Sequence, residues 1–181
     1  MSQNRLVLIR HGESMGNYWK PAYHDDRANF LSDIGIKQAE IAGLFLKRHD
    51  FDFAYIVTSE LTRARQTAAT ILINMGDWQR HYDIDPNFSE FNQFENQPFE
   101  DHRDKVYNAM DLLFDTWTAG DALCVTHYHT MQRIFDYLQV PRSRIDSYEG
   151  KYVPNAMPFV YDMNAPDKIE LMDPYSHTPQ Y

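Results

Sequence analysis

Leu6-Val7-Leu8-Ile9-Arg10-His11-Gly12-Glu13 is the stretch that decides the fold of this chain. Four apolar residues in a row read as a short buried strand. The run then breaks into an arginine, a histidine, a glycine and a carboxylate. Glycine after the histidine lets the backbone turn sharply and approach a ligand closely. A cation and a candidate nucleophile therefore stand where a strand ends, which suits an anion site better than a core. Taken alone, the Arg-His pair also fits a surface turn with a solvated histidine. What separates the two readings is that the chain repeats the arrangement.

Phe53 to Val57 is a second apolar run, and it ends in Thr58-Ser59 with Arg63 one turn into the following helix. Ala122 to Val125 is a third, ending in Thr126-His127. Helical spacing fills the intervals. Ser32 is placed to cap a helix that runs to Lys47-Arg48. Ser59 is placed to cap one from Glu60 to Met75, stopped by Gly76. Two more span Asp101 to Trp117 and Thr130 to Leu138. Gly12 to Phe30 reads as a long loop, Tyr82 to Asp85 as a short strand, and Asn87 to Glu100 fits no period. Met157 to Met163 and Lys168 to Met172 read as late strands near a sheet edge. Alternating strands and helices predict an α/β fold: three layers, a mostly parallel central sheet flanked by helices, and a small irregular cap insertion over about 77–105. The chain is expected to form a single domain over 1–181, with 174–181 as a tail. In a parallel sheet the three polar strand ends share one carboxyl edge, where ligands of such folds bind. Arg10, His11, Arg63 and His127 are thereby brought to one crevice, and arginine forks and helix N-termini both favour phosphate-like anions.

Composition bounds the partners. The 181 residues are 43% hydrophobic and 24% charged, with a net charge of −9. That balance argues against a nucleic-acid backbone or an anionic membrane as partner, since both attract basic surfaces. A small anionic substrate remains open, because a few arginines set the field within one pocket. Cys124 is the single cysteine, so no intrachain disulfide is expected, which fits a reducing, cytoplasmic setting. The first apolar run stops at Ile9, short of a secretory core, and no segment approaches transmembrane length.

Three stretches resemble the histidine phosphatase superfamily, the phosphoglycerate-mutase-like fold. They are Arg10-His11-Gly12-Glu13-Ser14 with Asn17, then Leu31-Ser32-Asp33-Ile34-Gly35-Ile36-Lys37-Gln38-Ala39, then Ser59-Glu60-Leu61-Thr62-Arg63-Ala64-Arg65-Gln66-Thr67-Ala68. Val125-Thr126-His127 matches the position of that family's second histidine, and the matches run in family order. The resemblance implies hydrolysis of a small phosphate monoester through a phosphohistidine on His11. Arg10, Arg63 and His127 would surround the phosphoryl oxygens, and Asn17 would add a donor. No metal or cofactor is implied, because the cations are side chains. The family takes its proton donor from after the second helix, and Glu90 in Phe88-Ser89-Glu90-Phe91 matches that place; Glu95 and Glu100 are nearby competitors. Glu13 is expected to be structural.

Two departures stand out. Tyr128 and His129 follow His127 where the family has small residues, which puts Tyr128 in the phosphate-pocket wall as a substrate-binding candidate. Phe91-Asn92-Gln93-Phe94 replaces a glycine-containing run. Three other functions compete: a mutase of the same fold, a phospho-ligand-binding module without turnover, and a metal site built from His11, His127 and His129. Tyr18, Trp19, Tyr23 and Phe30 in one loop and Phe88, Phe91, Phe94 and Phe99 in another either line the pocket mouth or pack the two loops together. Lys20 and Arg27 are candidates for a second phosphate contact.

Overall fold

The computed structural model describes residues 4–18, 28–91, 98–141, 153–165 and 169–175. In chain order these form β1 (Arg5–Arg10), α1 (Met15–Tyr18), α2 (Asp33–Arg48), β2 (Phe53–Thr58), α3 (Thr62–Met75), β3 (Asp83–Ile84), α4 (Phe99–Thr116), β4 (Asp121–Thr126), α5 (Tyr128–Tyr137), β5 (Pro158–Asp162) and β6 (Ile169–Leu171), with a 3-10 turn at Pro86–Phe88. The six strands make one sheet in the order β3-β2-β4-β1-β5-β6. β3, β2, β4 and β1 run parallel, and β5 runs against both of its neighbours.

The sheet divides the core by the two-residue alternation of its strands. Leu6 and Leu8 of β1 face one way with Ala122 and Cys124 of β4, and meet Val106, Met110 and Leu113 of α4 and Met131, Ile134 and Phe135 of α5. Val7 and Ile9 face the other way with Leu123 and Val125, and meet Ala39, Ala42 and Leu46 of α2 and Ala64, Ala68 and Ile71 of α3. Helices thus cover both faces, as strands buried on both sides require.

The expected elements recur with instructive differences. Gly12 to Phe30 is not all loop: α1 forms inside it, anchored where the Asn29 side-chain oxygen accepts the Gly16 amide at 2.8 Å. Helix α3 begins at Thr62 rather than Glu60, flanked by Leu61. The Ser59 hydroxyl does take the Leu61 amide at 3.1 Å, but its main partners lie across the sheet. Helix α5 starts at Tyr128, two residues before Thr130. The two late strands lie at one end of the sheet, with β5 between β1 and the edge strand β6. Residues 77–105 carry β3, the 3-10 turn and the start of α4.

Gly12 and Gly35 let the start of α2 press on the turn after β1. A Cβ at Gly12 would stand 2.5 Å from the Gly35 carbonyl oxygen, and a Cβ at Gly35 would overlap the Glu13 carbonyl. Ser32 caps α2 by accepting the Gly35 amide at 3.1 Å, and Glu13 Oε1 accepts the Ser32 hydroxyl at 2.7 Å, so Glu13 is a structural carboxylate here. Gly35→Ala forces backbone against backbone. It is expected to cost about 3 kcal/mol, read as a lower urea midpoint with unchanged m.

Candidate active site

The parallel register sets Arg10 beside Thr126 and Thr58 beside Val125. The residues just past these positions, His11, Ser59 and His127, therefore share the carboxyl edge. The His11 amide donates to the Thr126 carbonyl at 2.9 Å, and the Ser59 amide to that of Val125 at 3.1 Å. From the other side, Asn155 Nδ2 donates to the His11 carbonyl at 2.7 Å, and the Thr67 hydroxyl accepts the Gly12 amide at 3.0 Å.

His11 is buried. Its Nδ1 lies 2.6 Å from the Gly12 carbonyl oxygen. A carbonyl only accepts, so Nδ1 carries the proton and Nε2 keeps its lone pair. Arg63 Nε donates to that nitrogen at 3.2 Å. Burial, then Arg63 and Arg10, hold the His11 imidazole well below the ordinary histidine range, against the opposing pull of the Gly12 carbonyl. His11 is thus a neutral, oriented ring with its free electron pair beside a guanidinium.

The His127 ring lies 5.0 Å from that of His11 and is fully buried. Burial, Arg63, His11 and Arg10 hold it neutral too. Its Nε2 is 2.8 Å from the Ser59 hydroxyl, which in turn lies 3.2 Å from the Ser89 hydroxyl. Ser59 accepts from the Leu61 amide, and its own proton goes either to His127 Nε2 or to Ser89. With Ser59 donating to Nε2, the His127 proton sits on Nδ1, a buried atom that has no hydrogen-bond partner among the described residues.

Arg10 Nη1 donates to the Val153 carbonyl at 3.0 Å, and its guanidinium carbon lies 5.5 Å from the centre of the Tyr128 ring. Tyr128 accepts a hydrogen bond from Gln132 at 3.1 Å. Glu90 Oε1 accepts the Phe91 amide at 2.9 Å and both the amide and Nδ1 of His129 at 3.2 Å. Burial pushes the Glu90 carboxyl up, but the bond and charge of His129, the Phe91 amide and Arg63 together hold it below the usual value. Asn17 has a structural role through its acceptor atom. Its side-chain oxygen accepts both the amide and the hydroxyl of Ser14 at 2.9 Å, which shapes the turn leading into α1.

The aromatic residues divide between core and site rim. Phe88 is buried in the core, while Phe91 packs edge-on against Phe99 at 5.7 Å and His129 at 6.1 Å. Trp19, Lys20, Tyr23, Arg27, Phe94 and Glu95 lie outside the described residues, as does the Tyr18 side chain. Among the described residues no three His, Cys, Asp or Glu side chains are grouped to hold a metal ion, and no helix is long and apolar enough to cross a membrane.

Residues 6–118 match the family model described as histidine phosphatase superfamily (branch 1). The chain belongs to the histidine phosphatase superfamily. A 2,3-bisphosphoglycerate-dependent phosphoglycerate mutase from Bradyrhizobium is 41% identical over 76 residues, which is 42% of this chain and 36% of that protein. The fructose-2,6-bisphosphatase TIGAR of Bos taurus is 40% identical over 72 residues, 40% of this chain and 26% of the relative. The matched stretch thus spans about a third of these relatives or less. Among solved structures, the α-ribazole phosphatase of Shigella flexneri superposes with a TM-score of 0.67 at 22% identity, covering 93% of this chain and 94% of its own. The phosphoglycerate mutase of Bacillus anthracis gives 0.65 at 16%, covering 95% and 93%. These structures share the phosphoglycerate-mutase-like fold, and the superfamily holds both phosphatases and mutases.

Ser59, Ser89 and Asn155 were not singled out as site residues from the sequence, and His129 entered only as a candidate metal ligand. Ser59 closes a polar strand ending, which was the available signal. The contacts of Asn155 and Ser89 span 144 and 30 residues, and no local pattern announces them.

The two depressed imidazoles link stability to pH. Below about pH 6.5 the unfolded chain protonates both rings while the native state does not. Their contribution is complete above that range and falls by about 1.4 kcal/mol per pH unit for each ring as the pH drops. Urea midpoints from pH 7.5 to 5 should therefore fall less steeply for His127→Asn than for the unmodified protein.

Proposed function

We propose that this protein is a phosphatase that hydrolyses a small phosphate monoester through a phosphohistidine on His11, without a metal ion. The observation that carries the reading is the state of His11: Nδ1–H committed to the Gly12 carbonyl, and Nε2 unprotonated beside Arg63. A neutral imidazole with a fixed proton is a nucleophile. It attacks phosphorus while Arg10, Arg63 and Nδ1–H of His127 stabilise the charge spreading over the equatorial oxygens. Glu90 is the proton donor to the departing alkoxide, and Tyr128 and Asn17 form part of the wall around it. Water then attacks the phosphohistidine in line and regenerates the ring.

The same chemistry serves a mutase when a second phosphorylated group is held and water is kept out. The acidic balance of the chain, net −9, favours the phosphatase.

His11→Ala is expected to abolish turnover of p-nitrophenyl phosphate and the burst of nitrophenolate while leaving the circular dichroism spectrum unchanged. Turnover near that of the unmodified protein would end the phosphohistidine mechanism. Glu90→Gln should slow alkyl phosphates by roughly 10²-fold or more and p-nitrophenyl phosphate far less, since nitrophenolate leaves without a proton. Activity is expected to survive chelation by EDTA; loss restored by zinc would assign the site to a metal instead.

A further inference from the structure

We infer that Asn155 is a positioning residue for His11: its side-chain amide holds the His11–Gly12 peptide in the orientation that aims the Gly12 carbonyl at Nδ1 and leaves Nε2 to react. The catalytic consequence rests on the phosphatase reading, and Asn155 acts only through His11.

The Gly12 carbonyl belongs to the second of two consecutive peptide planes. In the first, the His11 carbonyl accepts Asn155 Nδ2 at 2.7 Å, and the Gly12 amide donates to the Thr67 hydroxyl at 3.0 Å. In the second, the Glu13 amide donates to Gln38 Oε1 at 2.8 Å, and the Gly12 carbonyl meets His11 Nδ1 at 2.6 Å. The carbonyl and the amide of a trans peptide point in opposite directions, so each plane is held from both sides. Gly12 between them has soft dihedrals, and the planes take their orientation from these partners. Gln38 comes from α2 and Thr67 from α3. Asn155 supplies the remaining hold from the segment before β5, 144 residues along the chain.

A second observation points to the same segment. Ala156 is fully buried and has a φ of 52°, a left-handed conformation that is unfavourable for a residue with a Cβ. Asp50 and Gln139 share such a φ, but both are exposed and stand just past the ends of α2 and α5. Ala156 instead stands two residues before β5, where its amide donates to the Arg10 carbonyl at 2.8 Å. Strain of this kind persists where surrounding contacts over-determine the backbone, and it collects at functional sites. Here the strained turn brings three groups onto two adjacent site residues. The Val153 carbonyl takes Arg10 Nη1 at 3.0 Å, the Ala156 amide takes the Arg10 carbonyl, and Asn155 takes that of His11. The first two serve Arg10, and the Asn155 contact alone of the three reaches the peptide beside the reacting ring. Without that donor the His11 carbonyl swings, the Gly12 carbonyl loses its aim, and the ring loses its fixed direction. The ring stays neutral, because its burial and the arginines beside it are unchanged.

The test compares Asn155→Leu, of similar size but with no N–H, with Asn155→Gln, which keeps an amide donor. Proton NMR reads the His11 Nδ1–H, which a short bond to the Gly12 carbonyl should hold downfield in the unmodified protein. In Asn155→Leu that signal should move upfield or broaden away. The burst of nitrophenolate from p-nitrophenyl phosphate should slow by roughly tenfold or more, as misplacing a reacting group does. The Kd for inorganic phosphate should change by less than about threefold, since ground-state contacts are kept. Asn155→Gln should recover part of both the signal and the burst. An unmoved Nδ1–H signal in Asn155→Leu overturns the proposal, whether the burst is unchanged or falls in step with phosphate affinity. So does a burst slower in Asn155→Gln than in Asn155→Leu, which would mean that size and not the donor matters. If Asn155→Leu does not fold by circular dichroism, Asn155→Ala carries the same measurements. If the unmodified protein gives no burst, the phosphatase reading has failed, and the Nδ1–H signal alone decides whether Asn155 positions His11.

Discussion

Two uncharged imidazoles packed beside a guanidinium are the constraint on which the rest of this molecule depends. Burial disfavours a charged imidazole, and each nearby arginine disfavours it further. That keeps the lone pair of His11 available, but the ring must then be oriented by a group that accepts its one proton. The Gly12 carbonyl does this at 2.6 Å. It can turn back toward the ring because residue 12 has no side chain to strike the Gly35 backbone. Gly35, in turn, sits at the start of α2 because Ser32 caps that helix and Glu13 holds Ser32. The protonation state of His11 thus traces back to a helix cap more than twenty residues along the chain.

The sheet supplies the second half of the constraint. Each parallel strand buries alternate residues against a different pair of helices, so register cannot slip by one residue without turning a core face toward solvent. The register that satisfies both cores also sets Arg10 beside Thr126. Hydrophobic packing therefore constrains the spacing of His11, Arg63 and His127 independently of the polar contacts among them. The hydrogen bonds from His11 to Thr126 and from Ser59 to Val125 lock an arrangement already chosen by the apolar faces.

What the sequence made legible follows the same division. Apolar runs that end in polar residues are local signals, and β1, β2 and β4 appear where those runs lie. Three such endings on one parallel edge were enough to assemble Arg10, His11, Arg63 and His127. The illegible parts are those decided by contacts far apart in the chain. Ser59 reads as a helix cap from its neighbours, and it does hold the Leu61 amide. Its second role, orienting His127, depends on a residue 68 positions away. Asn17 reads as a ligand donor from the motif; that its side-chain oxygen also holds the Ser14 turn, three residues back, is not announced there. The two late strands read as lying near a sheet edge, and β5 and β6 do form that end; that β5 pairs antiparallel with β1 is set by contacts far apart in the chain.

The start of α5 decides where three consecutive side chains go. Extended backbone points residues 127 and 129 to the same side, the geometry a two-histidine clamp on a metal requires. A helix rotates each successive side chain by about 100° instead. His127 is the last extended residue, with φ −128° and ψ 171°, and Tyr128 is the first helical one. Consecutive side chains therefore part company: His127 goes inward to Ser59, Tyr128 to the Arg10 guanidinium, and His129 across to Glu90. One helix N-terminus thus sends three consecutive side chains to Ser59, Arg10 and Glu90. A helix beginning at Thr130 would have left His127 and His129 on one side, and Glu90 without its contact to His129.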